Sequence, residues 1–185
     1  MKYVFASDIH GSASACRKLL ERFAEEKADR LFLLGDLLYH GPRNDLPDEY
    51  APKKVIELLN GVRDCVCTVR GNCDCEVDQM VLSFPILADY GWLSLGDIMV
   101  YLTHGHHVTD ETFTQVGEGN IVLQGHTHIP LWETKNGVLH LNPGSTSIPK
   151  EGSCKSYMVF ENGTFYWKNL ETTEIYHSLS VKKES

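Results

Sequence analysis

Short apolar runs alternate with helical apolar stripes through the first half of the chain, while the second half is mostly short runs separated by turn signals. KYVFAS (residues 2–7) predicts a strand. Across residues 12–27, Cys16, Leu19, Leu20, Phe23 and Ala24 fall at i, i+3, i+4, i+7 and i+8, the stripe of an amphipathic helix. DRLFLLG (29–35) predicts a second strand, and YHGPRNDLPDEYAP (39–52) a turn-rich loop. PKKVIELLN (52–60) predicts a helix opening on its proline, and CVCTVRG (65–71) a third strand. Residues 81–104 predict extended segments around turn signals at Tyr90-Gly91 and Gly96-Asp97. A short helix is predicted over 110–116 and a strand over 120–125. Hairpins follow at Asn136-Gly137 and Asn162-Gly163, and SVKKES (180–185) reads as a solvated tail. With no linker, low-complexity stretch or repeat, the pattern predicts one α/β domain over residues 1–185: two packed mixed sheets with helices outside.

Composition narrows this picture. The chain has 185 residues, 42% of them hydrophobic, which is enough for a sizeable core. Its 25 acids against 17 bases give a net charge of −8 and no basic stripe, so binding to a nucleic-acid duplex is not expected. Bound cations would reverse the charge locally, so an anionic substrate stays open. The N-terminus already reads as a strand rather than a signal peptide, and no apolar run approaches ~18 residues, so no membrane association and a cytoplasmic location are expected. There the six cysteines stay thiols. Cys65/Cys67 and Cys73/Cys75 resemble half of a zinc knot, but C-x-C is a poor spacing for one, and Cys65 and Cys67 equally fit an apolar strand face.

The polar residues closing the apolar runs carry the chemistry. YVFAS leads into Asp8 and His10, RLFLL into Gly35-Asp36, and CVCTVR into Gly71-Asn72. IMVYLT leads into His104-Gly105-His106, and NIVLQ into Gly125-His126-Thr127-His128. Open α/β sheets bind ligands outside the carboxyl ends of their strands. Singly, an aspartate there is a helix cap and an asparagine after glycine a turn residue. Seven oxygen or imidazole donors at five strand ends point instead to one metal site. On a strand that stays extended, Asp8 and His10 point to one side, as do His126 and His128.

The ordered motifs D-x-H (8–10), G-D (35–36), G-N-x-D (71–74), H-G-H (104–106) and G-H-T-H (125–128) resemble the signature of the calcineurin-like metallophosphoesterases. YHGPRNDLPDEYAPKKV (39–55) and NPGSTSIPK (142–150) resemble the small bacterial YfcE-type phosphodiesterases of that family, and the likeness runs from the first strand through Lys150. The resemblance implies a four-layer α/β/β/α sandwich, metallo-dependent phosphatase-like, with two divalent cations at the sheet ends. It implies that Asp8 and His10 hold the first cation, helped by His128, that Asp36 bridges both, and that Asn72, His104 and His126 hold the second. Carboxylate, amide and imidazole donors without a thiolate suit borderline cations, manganese first, with zinc, iron or nickel as alternatives. Two such cations ~3.5–4 Å apart acidify a bridging water, and the hydroxide attacks phosphorus of a small phosphodiester in line with the leaving oxygen.

Catalytic candidates follow from the same motifs. Many family members carry histidine after the asparagine of G-N; here it is Cys73, followed by Asp74. A thiol of pKa ~8.5 can protonate a leaving group, ionise beside cations, or merely line the pocket. His106 faces the same way as His104 if its strand continues, as a phosphate or acid partner. Arg43 can fork onto a phosphate oxygen; the alternative is a loop ion pair with Asp45, Asp48 or Glu49. His40 shares that loop, His107 is expected in solvent, and His140 and His177 are expected to be structural. Two other functions compete: a phosphomonoesterase or protein phosphatase, which needs more basic groups for a dianion, and a non-catalytic scaffold like the small retromer subunit, whose metal motifs are degraded. FPILADYGWLSL (84–95), with Phe84, Tyr90 and Trp92, offers either a homo-oligomer interface or ordinary core.

Overall fold

Strand β1 (Lys2–Ala6) sets the layer order through its alternation. Val4 and Ala6 pack with Leu19, Val55 and Leu59, which lie on helices α1 (Ala13–Glu26) and α2 (Pro52–Asn60). Phe5, on the opposite face, joins Phe32, Val100, Ile121, Leu141 and Trp167 in a second cluster. A third cluster holds Phe113 and Val116 of a later helix against Val122 and Val138. The computed structural model, which describes residues 1–181, therefore stacks helices, sheet, sheet and helix, the α/β/β/α order expected.

One sheet runs β11 (Ile175–Ser180), β10 (Thr164–Asn169), β9 (Ser156–Glu161), β1, β2 (Arg30–Leu33), β3 (Val66–Thr68). Within it β1, β2 and β3 are parallel, and β9 and β10 pair antiparallel. The other runs β4 (Tyr90–Leu95), β5 (Ile98–Thr103), β6 (Ile121–Leu123), β8 (Val138–Pro143), β7 (Pro130–Lys135), with β5, β6 and β8 parallel. Helix α4 (Asp110–Val116) lies against this second sheet, and a single turn, α3 (Glu76–Gln79), follows β3. Each sheet thus sends parallel strands to a common carboxyl edge.

Local signals explain the ends of α1. Ser12 Oγ accepts the Ala15 N–H at 3.2 Å, and Lys27 at φ 52° stops the helix. Several predicted features change. The third strand shortens to Val66–Thr68 because Arg63–Cys65 forms one 3-10 turn. Being an edge, it leaves Cys67 exposed rather than on an apolar face; the fully buried thiol is Cys16, which burial pushes up to about 12. Tyr90-Gly91 makes no turn: it runs inside β4, whose residues pair regularly with β5. The segment 84–95 divides, with Phe84 in the core and Tyr90 and Trp92 exposed. Of the predicted tail, Ser180 ends β11 and Val181 N–H donates to Gly163 O at 2.9 Å, while residues 182–185 lie outside the described residues. Among the described residues no helix is long and apolar enough to cross a membrane.

Candidate metal centre

The strands stop before the donors begin. β1 ends at Ala6, and Asp8 and His10 both turn into left-handed backbone, at φ 60° and 49°. Asp36, His126 and His128 do the same at φ 56°, 67° and 63°. The expected extended D-x-H and H-T-H segments are therefore turns. Each non-glycine residue held this way costs ~1–2 kcal/mol, and such strain gathers at functional sites. Neighbouring segments hold it in place. His10 N–H donates to Asp36 O at 2.9 Å, and Gly125 N–H to His104 O at 2.9 Å. Ser145 and Ser147 hydroxyls donate to Asp8 O at 3.0 and 2.8 Å, and Asn142 Nδ2 to Gly125 O at 2.7 Å. These buried groups give NPGSTS its structural purpose.

The donors converge as two groups with one common atom. Asp8 Oδ1 lies 3.3 Å from His128 Nε2 and 3.5 Å from His10 Nε2. His10 Nε2 lies 3.2 Å from His128 Nε2 and 3.6 Å from Asp36 Oδ2. On the far side of Asp36 Oδ2, at 3.4 Å, is His104 Nε2, which is 3.0 Å from Asn72 Oδ1 and 3.3 Å from His126 Nδ1. Atoms bound to one cation at ~2.1 Å, at right or tetrahedral angles, stand ~3.0–3.4 Å apart. Five of the seven spacings fall in that window, and those from His10 Nε2 to Asp8 Oδ1 and Asp36 Oδ2 lie just beyond it at 3.5 and 3.6 Å. Asp8 Oδ1 is buried and receives no hydrogen bond, as a carboxylate oxygen does when a cation is its partner. The far imidazole nitrogens are fixed: Nδ1 of His10, His104 and His128 donates to the carbonyls of Tyr39, Leu34 and Ile148 at 2.8, 2.6 and 2.6 Å. With Nδ1 so engaged, Nε2 is the nitrogen aimed into the cluster and the one whose lone pair a cation would take on displacing any proton there.

Charge in the cluster is unbalanced without cations. Burial alone would raise Asp8, yet its imidazole neighbours His10, His128 and His104 hold its carboxyl far below the usual range. Burial pulls His104 down, but Asp36 and Asp8 outweigh it and push the imidazole up to about 9. Buried carboxylates thus keep a proton on an imidazole, which a cation displaces on binding. Burial, then the Asp36 charge, pushes the Cys73 thiol well above its usual range.

Most predicted residues meet here, and two do not take the part expected. Asp74 is buried and turned away from the cleft: its Oδ2 accepts the Asp36 and Gly71 N–H groups at 2.8 and 2.7 Å, and its Oδ1 the Leu37 N–H at 2.9 Å. It is a brace between the loops after β2 and β3, because a residue's type does not fix which way its side chain points. Asp74→Asn, which puts an NH2 against a backbone donor, is expected to cost ~2–4 kcal/mol and ~10–100-fold in cation affinity. Urea unfolding and cation titration check this; unchanged values would remove the brace. His106 does not continue its strand, because the chain turns at Gly105 (φ 112°). Its ring lies 5.4 Å from that of His104 and outside the cleft lining, and burial and neighbouring histidines lower it to about 4.

Arg43 and Cys73 line a cleft of about 410 Å³ over the cluster. The proposed loop ion pair of Arg43 is absent: Glu49 pairs with Arg17 and Asp48 with Lys155. His40 packs between Tyr39 and Tyr50, His107 is exposed, His140 pairs with Glu133 at 3.1 Å, and His177 stacks on Trp132. Lys150, Asn44 and Thr127 also line the cleft. In the sequence these three are marked only by lying inside the YHGPRN, G-H-T-H and NPGSTSIPK motifs.

The family model described as "Calcineurin-like phosphoesterase superfamily domain" matches residues 1–164. Phosphodiesterase YfcE of Escherichia coli (strain K12) is 49% identical over 88% of this chain and 88% of its own length. Phosphodiesterase MJ0936 of Methanocaldococcus jannaschii is 26% identical over 82% of this chain and 91% of its own. The solved structure of the E. coli phosphoesterase Yfce superposes with a TM-score of 0.94 at 45% identity, covering 98% of this chain and 100% of that one. Zinc-complexed Vps29 of Entamoeba histolytica, at 19% identity and a TM-score of 0.66 over 98% of this chain and 100% of its own, shares the fold. By motif order, layer order and these matches, the chain belongs to the calcineurin-like phosphoesterase superfamily.

Proposed function

We propose that this chain is a phosphodiesterase using two divalent cations, one held by Asp8, His10 and His128, the other by Asn72, His104 and His126, with Asp36 bridging. The observation that carries this reading is the pair of donor groups, spaced as coordination edges, that meet at Asp36 Oδ2. Cations there supply an acidified water and neutralise phosphoryl oxygens. The chain contributes orientation. Carbonyls lock the imidazoles, Asp74 clamps the bridging loop, and Arg43 offers its fork to a phosphate oxygen from the cleft wall. Cys73 places Sγ within 4.8 Å of His10 and Asp36 ligand atoms, as the candidate proton donor to the departing oxygen. The donor set favours manganese, with zinc, iron or nickel able to substitute.

A diester fits better than a monoester, whose second charge would fall on the phosphoryl group itself, where the cleft wall offers the single fork of Arg43. The relatives named phosphodiesterase support the same choice. A purely scaffolding role is disfavoured by seven intact, correctly spaced donors. We read residues 1–185 as one phosphoesterase unit, supported by a family match reaching residue 164. Bis(p-nitrophenyl) phosphate is expected to be hydrolysed with manganese, to lose at least ~100-fold in rate on chelation and to recover on readdition. Chelation without effect, or equal turnover of p-nitrophenyl phosphate, would overturn the reading.

A further inference from the structure

Leaving the donors aside, the cleft walls are polar or charged. Arg43, Asn44, Thr127 and Lys150 line them, and Pro42 and Cys73 supply the nonpolar surface. Among the described residues no phenyl, phenol, indole or branched aliphatic group lines the cleft. A nucleobase therefore finds no stacking platform, a contact worth roughly tenfold or more in binding.

Two basic side chains stand in the cleft wall. Arg43 and Lys150 have no carboxylate partner among the described residues, and two acids of the Arg43 loop are taken by other cations, Glu49 by Arg17 and Asp48 by Lys155. Both are placed by well-tied backbone. Lys150 N–H donates to His128 O at 3.2 Å, and Lys150 O accepts the Ser153 N–H and hydroxyl at 3.0 and 2.6 Å. Asn44 Nδ2 donates to His40 O at 2.8 Å, closing the loop that carries Arg43. Lys150 thus stands at the His128 end of the donor cluster. Arg43 lies on the loop whose Gly41 faces Cys73, where an added Cβ would come 3.3 Å from Cys73 Sγ.

A diester phosphate carries one negative charge. On the proposed reading, on which this inference rests, the cation pair and Arg43 already meet it. Lys150 is left facing open cleft with no charge to balance. We infer that the substrates are phosphodiesters whose non-leaving substituent bears a further anionic group, and that Lys150 is the residue selecting it. The group is a phosphate or a carboxylate, both of which an ammonium accepts as a point charge.

A set of p-nitrophenyl diesters with one leaving group and different second substituents tests this with the manganese-loaded enzyme. The substituents are methyl, choline, carboxyethyl and 3-phosphoglyceryl. The anionic esters are expected to exceed the methyl ester in kcat/KM by about tenfold, mainly through KM, and the choline ester to fall below it. The phosphoglyceryl and carboxyethyl arms separate the two anion sources. Raising salt from about 0.05 M to 0.5 M is expected to shrink the preference, since exposed charges are screened. Lys150→Glu is expected to reverse the order. In calorimetry, a non-hydrolysable phosphonate analogue of the phosphoglyceryl ester is expected to bind this variant about tenfold more weakly than the unaltered protein. Esters hydrolysed within about twofold of one another, or a preference unchanged in Lys150→Glu, would overturn this inference alone. Failure to hydrolyse any of them would remove the proposed function, and this inference with it.

Discussion

Asp36→Asn is expected to lower manganese-dependent diester hydrolysis by at least ~10³-fold and to leave remetallated protein with one cation or none. The substitution is nearly isosteric. Asparagine tolerates the left-handed backbone at φ 56°, and its remaining oxygen can still accept the Cys73 N–H that Oδ1 accepts at 2.8 Å. The fold should therefore survive, with an unfolding midpoint close to that of the unaltered chain. What changes is Oδ2, the atom 3.6 Å from His10 Nε2 and 3.4 Å from His104 Nε2. An NH2 there has no lone pair for a cation, and it points donor hydrogens at both groups. Metal analysis after remetallation and bis-aryl phosphate turnover check the prediction together. Two cations retained at more than a tenth of the original rate would show that Asp36 does not join the two groups.

The parts of this centre legible in the sequence were those fixed by residue type and by the ends of apolar runs. Asp8, Asp36, Asn72, His104 and His126 each stand just beyond a strand, so the convergence of their segments follows from parallel strands sharing an edge. Conformation was less legible. Reading Asp8–His10 and His126–His128 as extended missed the left-handed turns, because contacts from distant segments hold those turns in place. Ser147 reaching Asp8 O spans 139 positions, and no local propensity announces it. The same limit applies to β9 lying beside β1, and to Asp74, whose side chain serves the backbone of Asp36, Leu37 and Gly71. Side-chain direction also separates His106 from His104, since one positive-φ glycine between them ends the strand's alternation. For Arg43, charge pairing was the illegible part: two acids of its loop, Glu49 and Asp48, pair with the distant Arg17 and Lys155.

Gly71 packs directly against the backbone and carboxylate of Asp36, and Gly71→Ala is expected to cost ~3 kcal/mol or more in stability and at least ~10²-fold in turnover. Its φ is not in the left-handed range, so alanine meets no backbone strain of its own. The obstacle is contact: a Cβ built there lies 2.1 Å from Asp36 Oδ1 and 2.2 Å from Asp36 N. Neither atom can step aside. Asp36 N–H is held by Asp74 Oδ2 at 2.8 Å, and Asp36 Oδ1 accepts the Cys73 N–H at 2.8 Å. Relief requires the loops after β2 and β3 to separate by about an ångström, which loosens the Asp74 brace and carries Asp36 and Asn72 apart. Gly91→Ala supplies the comparison, since its Cβ would meet Val69 at 3.9 Å, an ordinary contact, and it is expected to change stability by less than ~0.5 kcal/mol. Urea unfolding of both variants, with turnover measured on the folded fraction, separates loss of fold from loss of geometry. If Gly71→Ala unfolds and turns over like the unaltered chain, the loops have slack, and the cation donors are not held by this backbone contact.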